Sequence, residues 1–117
     1  MAFLRLTMIQ PRPGSETEAN DLLQELDTSL GQESGLLFSL IVNPRSERIG
    51  RLSLWRTKDD ANRVATTDHI MSVRSRLHYI SLSTDETMLE VQSGHFSEAV
   101  NSLLGDFKMP ASLATVA

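Results

Sequence analysis

The chain has 117 residues, no cysteine and a formal net charge of -4. A single domain of that size can bury a core without covalent staples, and the missing thiols exclude disulfides, zinc–thiolate centres, iron–sulfur clusters and a cysteine nucleophile. The acidic balance argues against a nucleic-acid partner, because such surfaces are built from clustered Lys and Arg.

Arg45, Arg48 and Arg51 do lie close together, but Glu47 interrupts them, and they read as the solvated arginines of a hairpin turn. The N-terminus Met1-Ala2-Phe3-Leu4-Arg5 has neither a basic n-region nor an apolar h-region. No apolar run approaches the roughly 20 residues of a membrane span. The expectation is a cytoplasmic protein with no membrane partner.

Residues 3–10 alternate, with Leu4, Leu6 and Met8 on one side and Phe3, Arg5, Thr7 and Ile9 on the other. Period two marks a strand with two unlike faces. Pro11-Arg12-Pro13-Gly14 ends it. Ser15-Glu16-Thr17-Glu18 has the spacing of a capping box, and Ala19, Leu22, Leu23, Leu26 and Leu30 form one helical stripe up to the stop at Gly31. A second strand is expected from Leu36 to Val42 and a third from Ile49 to Arg56, joined around Asn43-Pro44-Arg45-Ser46 as an antiparallel hairpin.

Thr57-Lys58-Asp59-Asp60 starts a second helix carrying Ala61, Val64 and Ala65. Thr66-Thr67-Asp68 interrupts it. Asp68 is placed to cap a further segment with Ile70, Val73 and Leu77, so the second helix is expected to be broken, near 58–66 and 69–78. Residues 81–85 read as a loop, and Thr87 to Gln92 as a fourth strand with Leu89 and Val91 facing inward.

The order is β-α-β-β-α-β, the ferredoxin-like arrangement of the α+β class, with four strands in one antiparallel sheet and the helices on one face. The opposite face is then expected to carry Phe3, Arg5, Thr7, Leu37, Ser39, Ile41, Arg51, Ser53, Trp55 and Met88. That set is too apolar to stay wet and too polar for plain core, which points to an interface, a ligand pocket or both. Residues 1–93 make the expected domain. Residues 94–117 form an extension in which Ser97 caps a short extra helix with Val100, Leu103, Leu104 and Phe107 on one side.

The stretch from Gly35 through Leu77 resembles the antibiotic biosynthesis monooxygenase-like family of dimeric α/β barrels. A hairpin strand ends in Trp55, a Thr57-capped helix carries Ala61, and Thr67-Asp68-His69 precedes the next helical segment. Pro13-Gly14 before an acidic helix start also matches, and the likeness spans about residues 2–93. The family pattern places Trp-Glu-Ser at the strand end and Ser/Thr-Pro-His before the last helical segment, and this chain departs from both.

Membership implies a homodimer in which two sheets face each other. The family includes oxygenases that act on quinols and polyketide aromatics without a cofactor, haem-degrading enzymes, and many members with no known activity. The haem branch uses an Asn on the first strand and a Trp and a His on the second helical region. Residues 2–10 contain no Asn, and Val64, Ala65, Arg74 and Ser75 stand where the other two belong. No cofactor is expected.

For the oxygenase branch the resemblance implies that Trp55 stacks on a small aromatic ligand, that His69 accepts a proton, and that Arg5, Arg51 or Asn62 stabilises an oxyanion. Each has a plainer role. Trp55 can anchor the strand–helix corner, His69 can satisfy a helix terminus, and Arg5 can pair with Glu90 across subunits. His78 and His95 read as surface residues. No two histidines share a metal-ligand spacing, so no metal site is expected. The readings are therefore a cofactor-independent monooxygenase, or a non-catalytic dimeric barrel that binds a small apolar ligand or serves as an assembly module. The second would fill its interface with Phe3, Leu37, Ile41 and Met88 from both chains.

Overall fold

A computed structural model describes residues 1–43 and 47–95. Strand β1 (Ala2–Pro11) is followed by helix α1 (Glu16–Leu30), the hairpin β2 (Leu36–Val42) and β3 (Ile49–Trp55), helices α2 (Lys58–Ala65) and α3 (Asp68–Tyr79), and strand β4 (Ser81–Val91). The four strands form one sheet in the order β2-β3-β1-β4, with antiparallel neighbours throughout. This is the α+β, ferredoxin-like arrangement, with its second helix broken in two. The expected extra helix after Ser97 and most of the hairpin turn lie outside the described residues.

The helices form where the apolar stripes fall. Ala19, Leu23, Leu26 and Leu30 of α1, Ala61, Val64 and Ala65 of α2, and Ile70, Val73 and Leu77 of α3 are all buried. The break between α2 and α3 has a local cause. Thr66 Oγ1 donates to the Arg63 carbonyl (2.9 Å) and Thr67 Oγ1 to the Val64 carbonyl (2.8 Å), closing the last turn of α2.

The caps differ in part from the sequence expectation. Thr57 does accept from the Asp60 amide, at 3.1 Å. The Ser15–Glu18 box does not close through its side chains, because Glu18 pairs with Arg76 Nε of α3 at 2.6 Å. The cap position of α3 is Thr67 rather than Asp68. Gly35 is required by geometry: its φ is +92°, and a Cβ there would lie 2.6 Å from the Asp60 carboxyl.

Residues 81–85 are strand, not loop. Ile9 pairs with Thr84 and Gln10 with Ser83, and after a register shift Pro11 pairs with Ser81. An edge strand held by backbone ladder bonds to β1 needs no apolar side chains, so its polar composition hid it.

The two sheet faces are the reverse of the expectation. Phe3, Ile9 and Trp55 pack with the buried residues of all three helices in the main core. Cross-strand pairing places Arg5, Ser53 and Met88 on that same helix-covered side, with Thr7, Arg51, Ile41 and Glu86 beside them. Phe3 and Ile41 therefore cannot meet a second copy across the sheet. The open side carries the leucines instead. Phe38, Leu54, Leu4 and Leu89 run in one register row across all four strands, and Leu40, Leu52 and Leu6 form the next. A shift between Leu36 and Phe38 turns Leu37 to this side, in a small apolar cluster made entirely of strand residues.

Candidate functional site

Between the sheet and the helices lies a cavity of about 500 Å³, within the range of small-molecule sites. Its apolar walls include Ile9 from β1, Leu23 and Leu26 from α1, and Met71 and Leu77 from α3. Its polar lining comes from Arg5, Thr7 and Arg51 of the sheet, Arg74, Ser75 and His78 of α3, and Thr84 and Glu86 of β4.

Arg5 and Arg51 are each only 5% exposed. Arg5 Nε lies 3.0 Å from Glu86 Oε1, a charge contact in which the N–H makes no aligned hydrogen bond. Its Nη2 donates to Asn62 Oδ1 at 3.1 Å, and its guanidinium carbon sits 5.7 Å from the Phe3 ring centre. Glu86 also takes Arg74 Nη2 at 3.2 Å. One carboxylate thus serves two arginines.

Arg51 is held differently. Its Nη1 donates to Ser39 Oγ at 3.2 Å, and the Ser39 hydroxyl donates in turn to Asp27 of α1. The Nε of Arg51 is buried without a hydrogen-bond partner. Burial pushes this guanidinium down to about 10; Asp27 opposes the shift and Arg5 adds to it. Burial likewise lowers Arg5, with Glu86 opposing. Both arginines remain cations at neutral pH. The arginine expected on a solvated turn is therefore a buried cation in the sheet. It resisted recognition because three arginines at a spacing of three look alike in sequence, and only strand pairing distinguishes them.

The residues singled out in the sequence separate into two groups. Arg5, Arg51 and Asn62 come together: the two arginines line the cavity and Asn62 holds one of them. Trp55 does not line the cavity. It is 1% exposed in the core, and its Nε1 donates to Ser53 Oγ at 3.0 Å, which is the anchoring role. His69 stands outside as well, with a side chain 59% exposed and Nε2 at 3.3 Å from Glu25 Oε1. The first turn of α3 directs it toward α1 and away from the cavity.

His78 lines the cavity in its place, with Arg74 and Glu86. None of the three is singled out for the site by the sequence; His78 is exposed, as expected of a surface residue, and borders the cavity. Glu86 shares the parity of Arg5 on paired strands, a signal that becomes visible once β4 is extended back to Ser81. The partner of Arg5 is thus Glu86 of the same chain rather than Glu90. Among the described residues, no three potential metal ligands gather, and no helix is long and apolar enough to cross a membrane.

Solved structures share this architecture over most of the chain. A Mycobacterium tuberculosis protein superposes with a TM-score of 0.75 at 14% identity, covering 80% of this chain and 98% of its own. SnoaB, a cofactor-independent oxygenase from Streptomyces nogalater, superposes with a TM-score of 0.71 at 9% identity, covering 80% and 95%. The fold is that of the antibiotic biosynthesis monooxygenases. A candidate antibiotic biosynthesis monooxygenase from Deinococcus radiodurans adds a TM-score of 0.72 at 13% identity, covering 83% and 98%. At such identities the likeness is one of fold. No protein-family model and no curated protein matches the chain. Within this monooxygenase-like fold, the chemistry has to be argued from the cavity itself.

Proposed function

We propose that the chain is a cofactor-independent monooxygenase acting on a small phenol- or quinol-type aromatic, working as a homodimer. The observation that carries the reading is the pair of buried arginines, Arg5 and Arg51, lining a cavity whose leucine, isoleucine and methionine walls can hold a ring. Oxygenation without a cofactor needs a substrate that becomes an electron-rich anion. A cationic cavity favours that anion over its neutral acid.

The balance is simple. An anthrone-type ring CH₂ beside an ionised phenol passes electrons to O₂ and takes one oxygen atom as C=O; in a quinol a ring C–H takes it as C–OH while the ring becomes the quinone. The second oxygen leaves as water with two hydrogens. In this scheme the leucine and isoleucine walls hold the ring, and Arg51 and Arg5 face the developing charge. His78 takes the proton-accepting role that His69, outside the cavity, is poorly placed to fill.

The homodimer belongs to the same reading. The Phe38–Leu54–Leu4–Leu89 row lies on the sheet face away from the described helices; Leu4 and Phe38 are half-buried and Leu89 is exposed, an apolar face that a second copy would cover. Oxygen uptake with anthrone and with hydroquinones tests the enzyme. Uptake above buffer, reduced at least about tenfold in Arg51→Gln, supports it. No uptake with any of these substrates leaves a binding barrel.

A further inference from the structure

The charges around the cavity do not balance. Arg5, Arg51 and Arg74 face two carboxylates, Glu86 and, behind Ser39, Asp27. Glu86 lies within ion-pair distance of both Arg5 and Arg74. Arg51 reaches Asp27 only through the Ser39 hydroxyl. It is therefore the least compensated cation, and it lines the cavity.

Its hydrogen bonding is lopsided too. Nη1 is committed to Ser39, while Nε is buried with no partner. A buried donor without a partner costs stability. The Nε–Nη2 edge is also the side on which a guanidinium accepts a carboxylate with two parallel hydrogen bonds. A phenolate presents one oxygen; a carboxylate presents two, coplanar with an attached ring.

We infer that the cavity selects an aromatic carboxylate, with the carboxylate paired side-on to Arg51 and the ring against Leu23, Leu26 and Met71. The inference rests on reading the cavity as the substrate site, and it narrows the substrate class from phenols in general to hydroxylated aromatic acids. A fixed negative charge on the substrate brings the cavity close to neutrality, and the neighbouring phenol oxygen stays within the field of Arg5 and Arg51.

The test is calorimetric titration of the intact chain without oxygen, near neutral pH, with 1-hydroxy-2-naphthoate and with 1-naphthol. The two probes differ by the carboxylate. The expected result is at least about tenfold tighter binding of the naphthoate. In Arg51→Gln, checked for native circular dichroism, that advantage should fall to within about twofold. Equal affinity of the two probes for the wild type overturns the inference and needs no variant to fold. An advantage unchanged in folded Arg51→Gln overturns it as well. Because the titration needs no turnover, the two readings fail separately. Uptake of oxygen with neutral quinols and no naphthoate preference sinks only the carboxylate assignment, whereas tight naphthoate binding with no oxygenation of any substrate sinks only the enzyme.

Discussion

Arg5 and Glu86 lie on neighbouring strands with their charged groups 3.0 Å apart, under the helices rather than on the outer face of the sheet. Glu86 serves Arg74 as well, so its removal leaves two cations facing the cavity without a carboxylate. Glu86→Gln should destabilise the fold by about 1–3 kcal/mol in urea unfolding, below the roughly 3–5 kcal/mol of a fully buried pair because the carboxylate is partly exposed. The same change should tighten binding of 1-hydroxy-2-naphthoate. Loss of stability with weaker anion binding would mean that Glu86 orients the arginines more than it opposes the ligand.

The lowered basicity of Arg51 sets a pH window. Its folded value of about 10 lies well below the usual guanidinium range, so the unfolded chain holds this proton more tightly. The cost of burying the charged form is present throughout the range below about 10, and it is relieved as pH rises from there toward the ordinary guanidinium value. Binding runs the other way, since it needs the cation. The naphthoate affinity attributable to Arg51 should hold up to about pH 9 and fall above about 10. Arg5, Asp27, Arg74 and Glu86 set the field around Arg51, and His78 shares the cavity. His78→Gln should keep the alkaline fall; its disappearance in that variant would assign the fall to the histidine.

The two histidines are separable. His69 pairs with Glu25 on the exposed side of α3, and a surface pair contributes at most about 0.5–1 kcal/mol. His69→Ala should change unfolding stability by less than that and leave oxygen uptake within about twofold of wild type. His78→Gln should lower uptake by about 10²-fold or more, the usual contribution of a general base. The opposite ranking would return the proton-accepting role to His69.

On the open sheet face, Leu52 lies between Leu40 and Leu6 in one register row. Leu52→Glu puts a charge in the centre of the surface proposed to meet a second copy, while the helix-covered core stays untouched. Light scattering at micromolar concentration should give a dimer for the wild type and a monomer with native circular dichroism for the variant. A monomeric wild type removes the dimer from the proposal.

Gly35 offers a test of the β2–α2 contact. Its φ is positive, and the Asp60 side chain lies 2.6 Å from where a Cβ would stand, so alanine meets two sources of strain. Gly35→Ala should cost about 1–3 kcal/mol in unfolding stability.

The amino-acid sequence by itself determined the elements and their order. The α1 stripe Ala19–Leu30, the broken helix at Thr66-Thr67 and the hairpin strands follow from period and from hydroxyl chemistry acting over a few residues, and such short-range rules are written in the chain. It also marked Arg5 as unusual, because an arginine inside a strand needs a partner.

What only the tertiary structure decided is which face of the sheet the helices cover. Period two divides β1 into two faces but says nothing about their orientation, and here both faces are apolar enough to be buried. The helices close over the more polar one, which thereby encloses the cavity, and the leucines fall on the other face. From that one choice follow the burial of Arg5 and Arg51, the recruitment of Glu86, Arg74 and His78 from elements remote in sequence, and the placing of Trp55 in the core and His69 at the surface.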